Sequence, residues 1–314
     1  MYARPPSMRA LVVTNMYPTP ARPALGSFVR DQVDALRRID GIEVAVFAFA
    51  PGAPGAYLKA ARDLRRAHHD NHFDVVHAHF GLTAWPAFAA RGDAHAVTLH
   101  GTDLVHPRSR AITLAALPLM DLVATVSELL ATQIPSWATR KQRAVLPAGV
   151  DVHRFKPIPR AQARAALGLD PTGPYLLFPA DPERPEKRYD RATALAGDTT
   201  LLALGSIDPL EVPLWVNAAN AVLVPSERES YGLAVLEALA CDVPVLATPV
   251  GIASEALQAI PGTHCGPFDE HAWREALEPH LQAADPRIDG HARAERYSTD
   301  RMAAKVVAAW QSLR

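Results

Sequence analysis

Pro225-Ser-Glu-Arg-Glu-Ser-Tyr-Gly-Leu-Ala-Val-Leu-Glu-Ala-Leu-Ala240 is the stretch that decides the fold. The apolar tetrad Ala221 to Val224 before it reads as a buried strand, and Gly232 marks the start of a helix whose apolar residues then run on almost without interruption. Between them lies a short acidic loop. One carboxylate, Glu229, sits in that loop, and a second, Glu237, follows eight positions later on the helix. Eight residues is a little over two helical turns, so both acids can lie along one side of the loop–helix unit. Carboxylates beside the N–H groups of a helix start suit a polyol and phosphate ligand. The alternative is a buried helix carrying two incidental acids.

Working outward, the same alternation of strand, turn and helix recurs along the chain. Strands are expected at Arg9 to Asn15, Glu43 to Ala50, Asp74 to Phe80, Ala94 to His100, Leu122 to Val126 and Arg143 to Pro147, with helices between them, including Ser27 to Arg38 and a basic one at Tyr57 to His69. Asp151 to Pro174 reads as a proline-marked linker with a short Ala-rich helix at Arg160 to Leu167. The alternation restarts with strands at Tyr175 to Phe178, Thr200 to Leu204, Ala221 to Val224 and Val243 to Ala247, and with helices at about Lys187 to Leu195, Gly232 to Cys241 and Glu270 to Leu281. The expected architecture is α/β, with two Rossmann-like domains whose parallel sheets face each other across a cleft. Their spans are 1–152, joined by a C-terminal helix 299–314, and 153–298.

Bulk numbers exclude several classes. With 314 residues, 49% of them hydrophobic, the chain can build two cores and is not disordered. A formal net charge of -1 gives no electrostatic footprint for nucleic acid. Two cysteines, Cys241 and Cys265, make no disulfide framework and favour a reducing, cytoplasmic setting. No apolar run of about 18 residues offers a membrane span, and Met1 to Ser7 lacks the apolar core of a signal peptide. Met8, directly before the first strand, is a candidate start. Lys59, Arg62, Arg65, Arg66 and His69 on the basic helix allow peripheral contact with an anionic membrane face, the alternative being a solvated outer surface.

Further motifs fall where strands end, which is where open parallel sheets bind ligands. Gly26 opens a helix after the first strand. His77 and His79 lie on one face of a strand; with no Cys or acid at ligand spacing, they do not make a metal site. Thr98-Leu-His-Gly-Thr-Asp103 puts His100 and Asp103 after another strand, where an imidazole can donate to a hydroxyl or hold a proton. Cations in Asp181-Pro-Glu-Arg-Pro-Glu-Lys-Arg188 can neutralise a diphosphate leaving group. There is no Asp-x-Asp, Walker A, Gly-x-Ser-x-Gly or Gly-x-Gly-x-x-Gly.

Taken in order, Gly26, His100, Gly149 to Asp151, Lys187, Glu229 to Glu237 and Gly251 resemble the retaining glycosyltransferases of family 4, also called glycosyl transferases group 1, which have the GT-B fold. The resemblance implies transfer of a sugar from a nucleotide-sugar to an acceptor hydroxyl without a metal or other cofactor. The acceptor would be a carbohydrate, a lipid-linked molecule or a small molecule of glycan, glycolipid or cell-envelope synthesis. It implies that Glu229, the N–H groups of Tyr231, Gly232 and Leu233, and Lys187 (with Arg184) hold the sugar and diphosphate, and that Glu237 holds the ribose. Catalytic roles would fall to His100, Glu229 and Lys187, with Gly26, His79, His100 and Asp103 lining the acceptor side. The chain departs from the pattern at three places. Ala148 replaces the usual Asn, the Gly-Arg pair before Lys187 is absent, and Ile252 replaces the second Gly of a Gly-Gly-x-x-Glu turn that ends here at Glu255. Other GT-B activities (epimerase, phosphorylase) and a non-catalytic sugar-nucleotide binding module share the fold.

Overall fold

The computed structural model describes residues 8–205 and 207–314. The expectations about Met1 to Ser7 lie outside the described residues. The chain divides into two units, one running through Gly149 and resuming at Thr299–Arg314, the other spanning Val150–Ser298.

The first unit contains β1 (Met8–Thr14), α1 (Ser27–Arg37), β2 (Ile42–Ala48), α2 (Pro54–Ala67), β3 (His72–His79), α3 (Ala84–Ala87), β4 (Arg91–Leu99), α4 (Thr102–Val105), α5 (Pro107–Ala116), β5 (Leu122–Thr125), α6 (Glu128–Ala131) and β6 (Gln142–Val145). Its six strands are ordered β2-β1-β3-β4-β5-β6, and every pairing is parallel. Central strands such as β1 and β5 are buried almost throughout, because helices cover both faces; their sequences are accordingly continuous apolar runs instead of alternating ones. In α2 the inward side is Ala60 and Leu64, while Lys59 and Arg66 pair with Asp63 on the outer side.

The second unit contains α7 (Arg160–Leu167), β7 (Tyr175–Phe178), α8 (Tyr189–Ala196), β8 (Thr200–Ala203), α9 (Val212–Ala218), β9 (Ala221–Val224), α10 (Leu233–Ala240), β10 (Val245–Ala247), α11 (Ala253–Ala256), β11 (His264–Cys265), α12 (Glu270–Gln282) and α13 (His291–Glu295). The sheet order is β11-β10-β9-β7-β8, again all parallel. Leu176, Phe178, Leu223, Leu246, Trp273 and Leu277 form its core. The expected linker is no loose tether. Buried Arg160 and Arg164 on α7 donate to the carbonyls of Ala219 and Ala218, and Arg164 also donates to Asn220 Oδ1 at 2.9 Å. Three donors aimed at a strand entrance fix this segment onto the second unit.

The last helix, α14 (Thr299–Gln311), returns to the first unit. Met302, Ala303, Val306, Val307 and Trp310 enter the same core as Val29, Val33 and Leu36 of α1. Spacings of three and four residues put all five on one helical face. No helix among the described residues is long and apolar enough to cross a membrane.

Candidate active site

In the second unit, three loops meet because they leave three adjacent strands. The turn after β7 carries Lys187, the loop after β9 carries Glu229, and the turn after β10 carries Gly251; in the sheet, β9 lies between β10 and β7. Lys187 Nζ lies 2.7 Å from both Glu229 Oε1 and Oε2. Both side chains are mostly buried, at 15% and 9% exposure. The Ser226 hydroxyl donates to Glu229 Oε1 at 2.8 Å, and the Ser226 carbonyl accepts from Thr248 Oγ1 at 2.5 Å. Lys187 stands in a 3₁₀ turn, Pro185–Lys187, instead of in the helix expected from residue 187 onward. Arg188 follows with φ 59, and this left-handed residue separates the turn from α8. The Glu227 N–H donates to the Glu186 carbonyl at 2.9 Å, tying this turn to the Glu229 loop.

Gly251 is required by close approach. At φ 61, its added Cβ would stand 2.3 Å from the Tyr231 carbonyl oxygen and 2.9 Å from Glu229 Cβ. Only hydrogen fits there, so this turn sets the position of the Glu229 loop. Ile252, where the family pattern has a second glycine, donates its N–H to the Tyr231 carbonyl at 2.7 Å, so its side chain does not prevent docking of the turn. Gly232 caps α10, and Leu233 begins it. Tyr231 is buried, and burial, then the neighbouring Tyr297 and Glu255, push its hydroxyl above the ordinary tyrosine value. Glu237 is half-buried on α10; after burial, its charge is the next cause raising the Cys241 thiol. Arg184 is half-exposed and paired with Glu186 at 2.6 Å.

In the first unit, the candidate residues again leave adjacent strands: Gly26 after β1, His79 at the end of β3, His100 after β4. Gly26, at φ 65, packs against Met16, whose carbonyl oxygen a Cβ would meet at 2.1 Å. Asp103 is buried and used for structure. Its Oδ1 accepts from the Gly81 N–H at 2.7 Å and its Oδ2 from the His100 N–H at 2.6 Å. Burial raises its pKa, and those N–H groups offset part of the rise. His79 Nδ1 and His100 Nε2 are 3.0 Å apart. Burial pushes His79 down to about 4 and holds His77 and His100 well below the ordinary imidazole range, so all three rings are neutral at pH 7. Phe28 and Phe80 pack on the His100 ring with centroids 5.0 and 4.5 Å away.

Four contributors carry no role expected from the sequence. Ser226 and Thr248 brace Glu229. Gln32 reaches His79 at 3.5 Å, and Trp310 Nε1 donates to His77 Nδ1 at 3.0 Å. Of these only Ser226, three residues before Glu229, had a local signal. Among the described residues, no group of three or more His, Cys, Asp or Glu is placed to hold a metal ion.

Comparison with known proteins accounts for both units. Residues 11–154 match the family model of Glycosyltransferase Family 4, and residues 173–291 match that of Glycosyl transferases group 1. The D-inositol 3-phosphate glycosyltransferase of Actinosynnema mirum is 28% identical, over 84% of this chain and 78% of its own length. Among solved structures, sucrose-phosphate synthase from Thermosynechococcus elongatus superposes with a TM-score of 0.73 at 18% identity, covering 97% of this chain and 99% of that one. HepE of Anabaena, in complex with UDP and glucose, gives 0.72 at 16% identity over 97% and 100%. With both halves matched in order and the two-sheet fold shared, the chain belongs to the group 1 glycosyltransferases, enzymes of GT-B fold.

Proposed function

We propose that this chain is a retaining, metal-independent glycosyltransferase that moves a sugar from a nucleoside diphosphate sugar to a polyol or sugar hydroxyl. The observation that carries the reading is the buried Lys187–Glu229 pair beside the N-terminus of α10. It supports a reading in which the ammonium and the N–H groups of the helix start take up the charge that develops on a departing diphosphate, and the carboxylate accepts from sugar hydroxyls. Neutralisation by Lys187 and the helix terminus takes the part a divalent metal plays in other transferases. Glu237, on the same helix, holds the ribose hydroxyls. Arg184, committed to Glu186, has the lesser part. On the first unit, His100 meets a substrate oxygen, and Asp103 fixes the backbone that presents it.

HepE supports a uridine nucleotide as the first donor to test, and the Actinosynnema relative supports a phosphorylated cyclitol as the first acceptor. The product would enter glycan, glycolipid or cell-envelope synthesis. Thermal shift against uridine, guanosine, adenosine and cytidine diphosphates and their sugars, with Glu237→Ala beside the parent, tests the donor site. Transfer assays with and without EDTA, and NMR of the product's anomeric proton, test the chemistry. A shift with one nucleotide that is lost in the variant, EDTA-insensitive turnover and a retained anomer are expected. An inverted anomer or a metal requirement would overturn the mechanism; no shift with any nucleotide would overturn the donor assignment.

A further inference from the structure

Buried His77 and His79 and half-buried His100 form an ordered array in the first unit whose proton positions follow from the groups that face each ring nitrogen. Indole Nε1 is a donor only. Trp310 therefore makes His77 Nδ1 an acceptor, so the His77 proton sits on Nε2 and is donated to Thr98 Oγ1 at 2.8 Å. The same logic applies to His79. The Gln32 amide nitrogen, also a donor only, faces His79 Nε2 at 3.5 Å. That assigns Nε2 as an acceptor and puts the His79 proton on Nδ1, which faces His100 Nε2 at 3.0 Å. The two rings lie within 25° of coplanar with centroids 5.2 Å apart, the edge-to-edge arrangement an N–H···N bond needs. His100 Nε2 is then the acceptor, and its own proton is left on Nδ1, which has no partner among the described residues and is not one of the buried unpaired atoms.

We infer that Gln32 and His79 are positioning residues that lock His100 as its Nδ1–H tautomer, so that His100 offers a substrate oxygen an N–H donor and not a lone pair. In this array His100 polarises or orients a hydroxyl and does not remove its proton through Nδ1. Burial of His79 supports the lock by keeping that ring neutral. The kinetic consequence rests on the role of His100 proposed above; the tautomer itself does not.

The test is ¹⁵N NMR of the ring nitrogens in the full chain at pH 8, with kinetics alongside. In the parent protein, His100 is expected to show a protonated Nδ1 and an unprotonated Nε2. His79→Asn keeps a donor near the Nδ1 position and should preserve that tautomer and hold kcat within about threefold. His79→Leu removes the donor; His100 should become a tautomer mixture and kcat fall in proportion to the Nδ1–H fraction that the NMR reads, with the donor KM unchanged. Gln32→Met should loosen the tautomer in the same direction and serves if His79→Leu does not fold. A protonated Nε2 on His100 in the parent, or an unshifted tautomer in His79→Leu and Gln32→Met, would overturn the lock. A shifted tautomer with unchanged kcat would overturn its role in the reaction while leaving the donor-site reading intact.

Discussion

The Lys187 ammonium is held 2.7 Å from both oxygens of the Glu229 carboxylate, across 42 residues of sequence. Removing one member strands the other charge in a mostly buried setting, which costs about 3 kcal/mol, whereas removing both leaves no orphan. Lys187→Met and Glu229→Gln should each lower the urea midpoint. The double variant should recover part of that loss, and all three should lose donor turnover. Additive stability losses in the double variant would show that the pair is not coupled.

Arg184 gives the contrast. Its ion pair with Glu186 is half-exposed, and such pairs contribute less than about 1 kcal/mol. Arg184→Ala should leave stability nearly unchanged and raise the donor KM by less than about threefold. A loss comparable to that of Lys187→Met, in the same assay, would place Arg184 on the diphosphate.

Gly251→Ala tests the docking of the turn. The new methyl must displace the Tyr231 carbonyl and Glu229 Cβ, and its backbone is in the left-handed region. A stability loss of about 1–3 kcal/mol is expected from overpacking, with a larger proportional loss in nucleotide affinity because Glu229 moves. Wild-type affinity measured by calorimetry would separate the turn from the site.

Trp310→Phe keeps most of a fully buried ring but leaves His77 Nδ1 without its donor. An unsatisfied buried acceptor costs about 1–3 kcal/mol. Urea unfolding should show that loss in the transition that reports the first unit. An unchanged midpoint would mean the indole N–H contributes nothing there.

Stability should fall on acidification. His79 has its folded pKa depressed to about 4, below an unfolded value near 6.5. The unfolded chain therefore binds the proton more readily, and the contribution is complete above about pH 6.5 and lost as pH falls toward 4. For His79 alone the loss is about 2 kcal/mol at pH 5, and His77 and His100 act in the same direction. Asp103, with a raised pKa, acts in the opposite sense at the acid end of this window. Urea midpoints at pH 7.5 and pH 5 should differ accordingly, and His79→Asn should reduce the difference.

Much of this was legible locally. The apolar tetrads Tyr175–Phe178 and Ala221–Val224 are strands with the bounds expected, because a strand buried on both faces must be apolar throughout. Helix Arg160–Leu167 also has its expected bounds, ending at Gly168 in the left-handed cap conformation. Harder to see were β11, which is two residues long, and α13, which is five; elements that short carry no period. The helix expected from Lys187 begins only at Tyr189, because the left-handed Arg188 interrupts it, and residue type alone does not announce that backbone angle.

By itself the sequence determined the alternation of elements and the glycines where backbones approach, since these depend on local periodicity and residue chemistry, while Lys187, Glu229, Glu237 and His100 stand out only through their resemblance to a family pattern. Tertiary structure decided which of them meet. Strand order brings the turn after β7 against the loop after β9, and the return of α14 brings Trp310 to His77 across 233 residues. Such contacts depend on how whole strands and helices pair and pack, and no short window of sequence contains both partners.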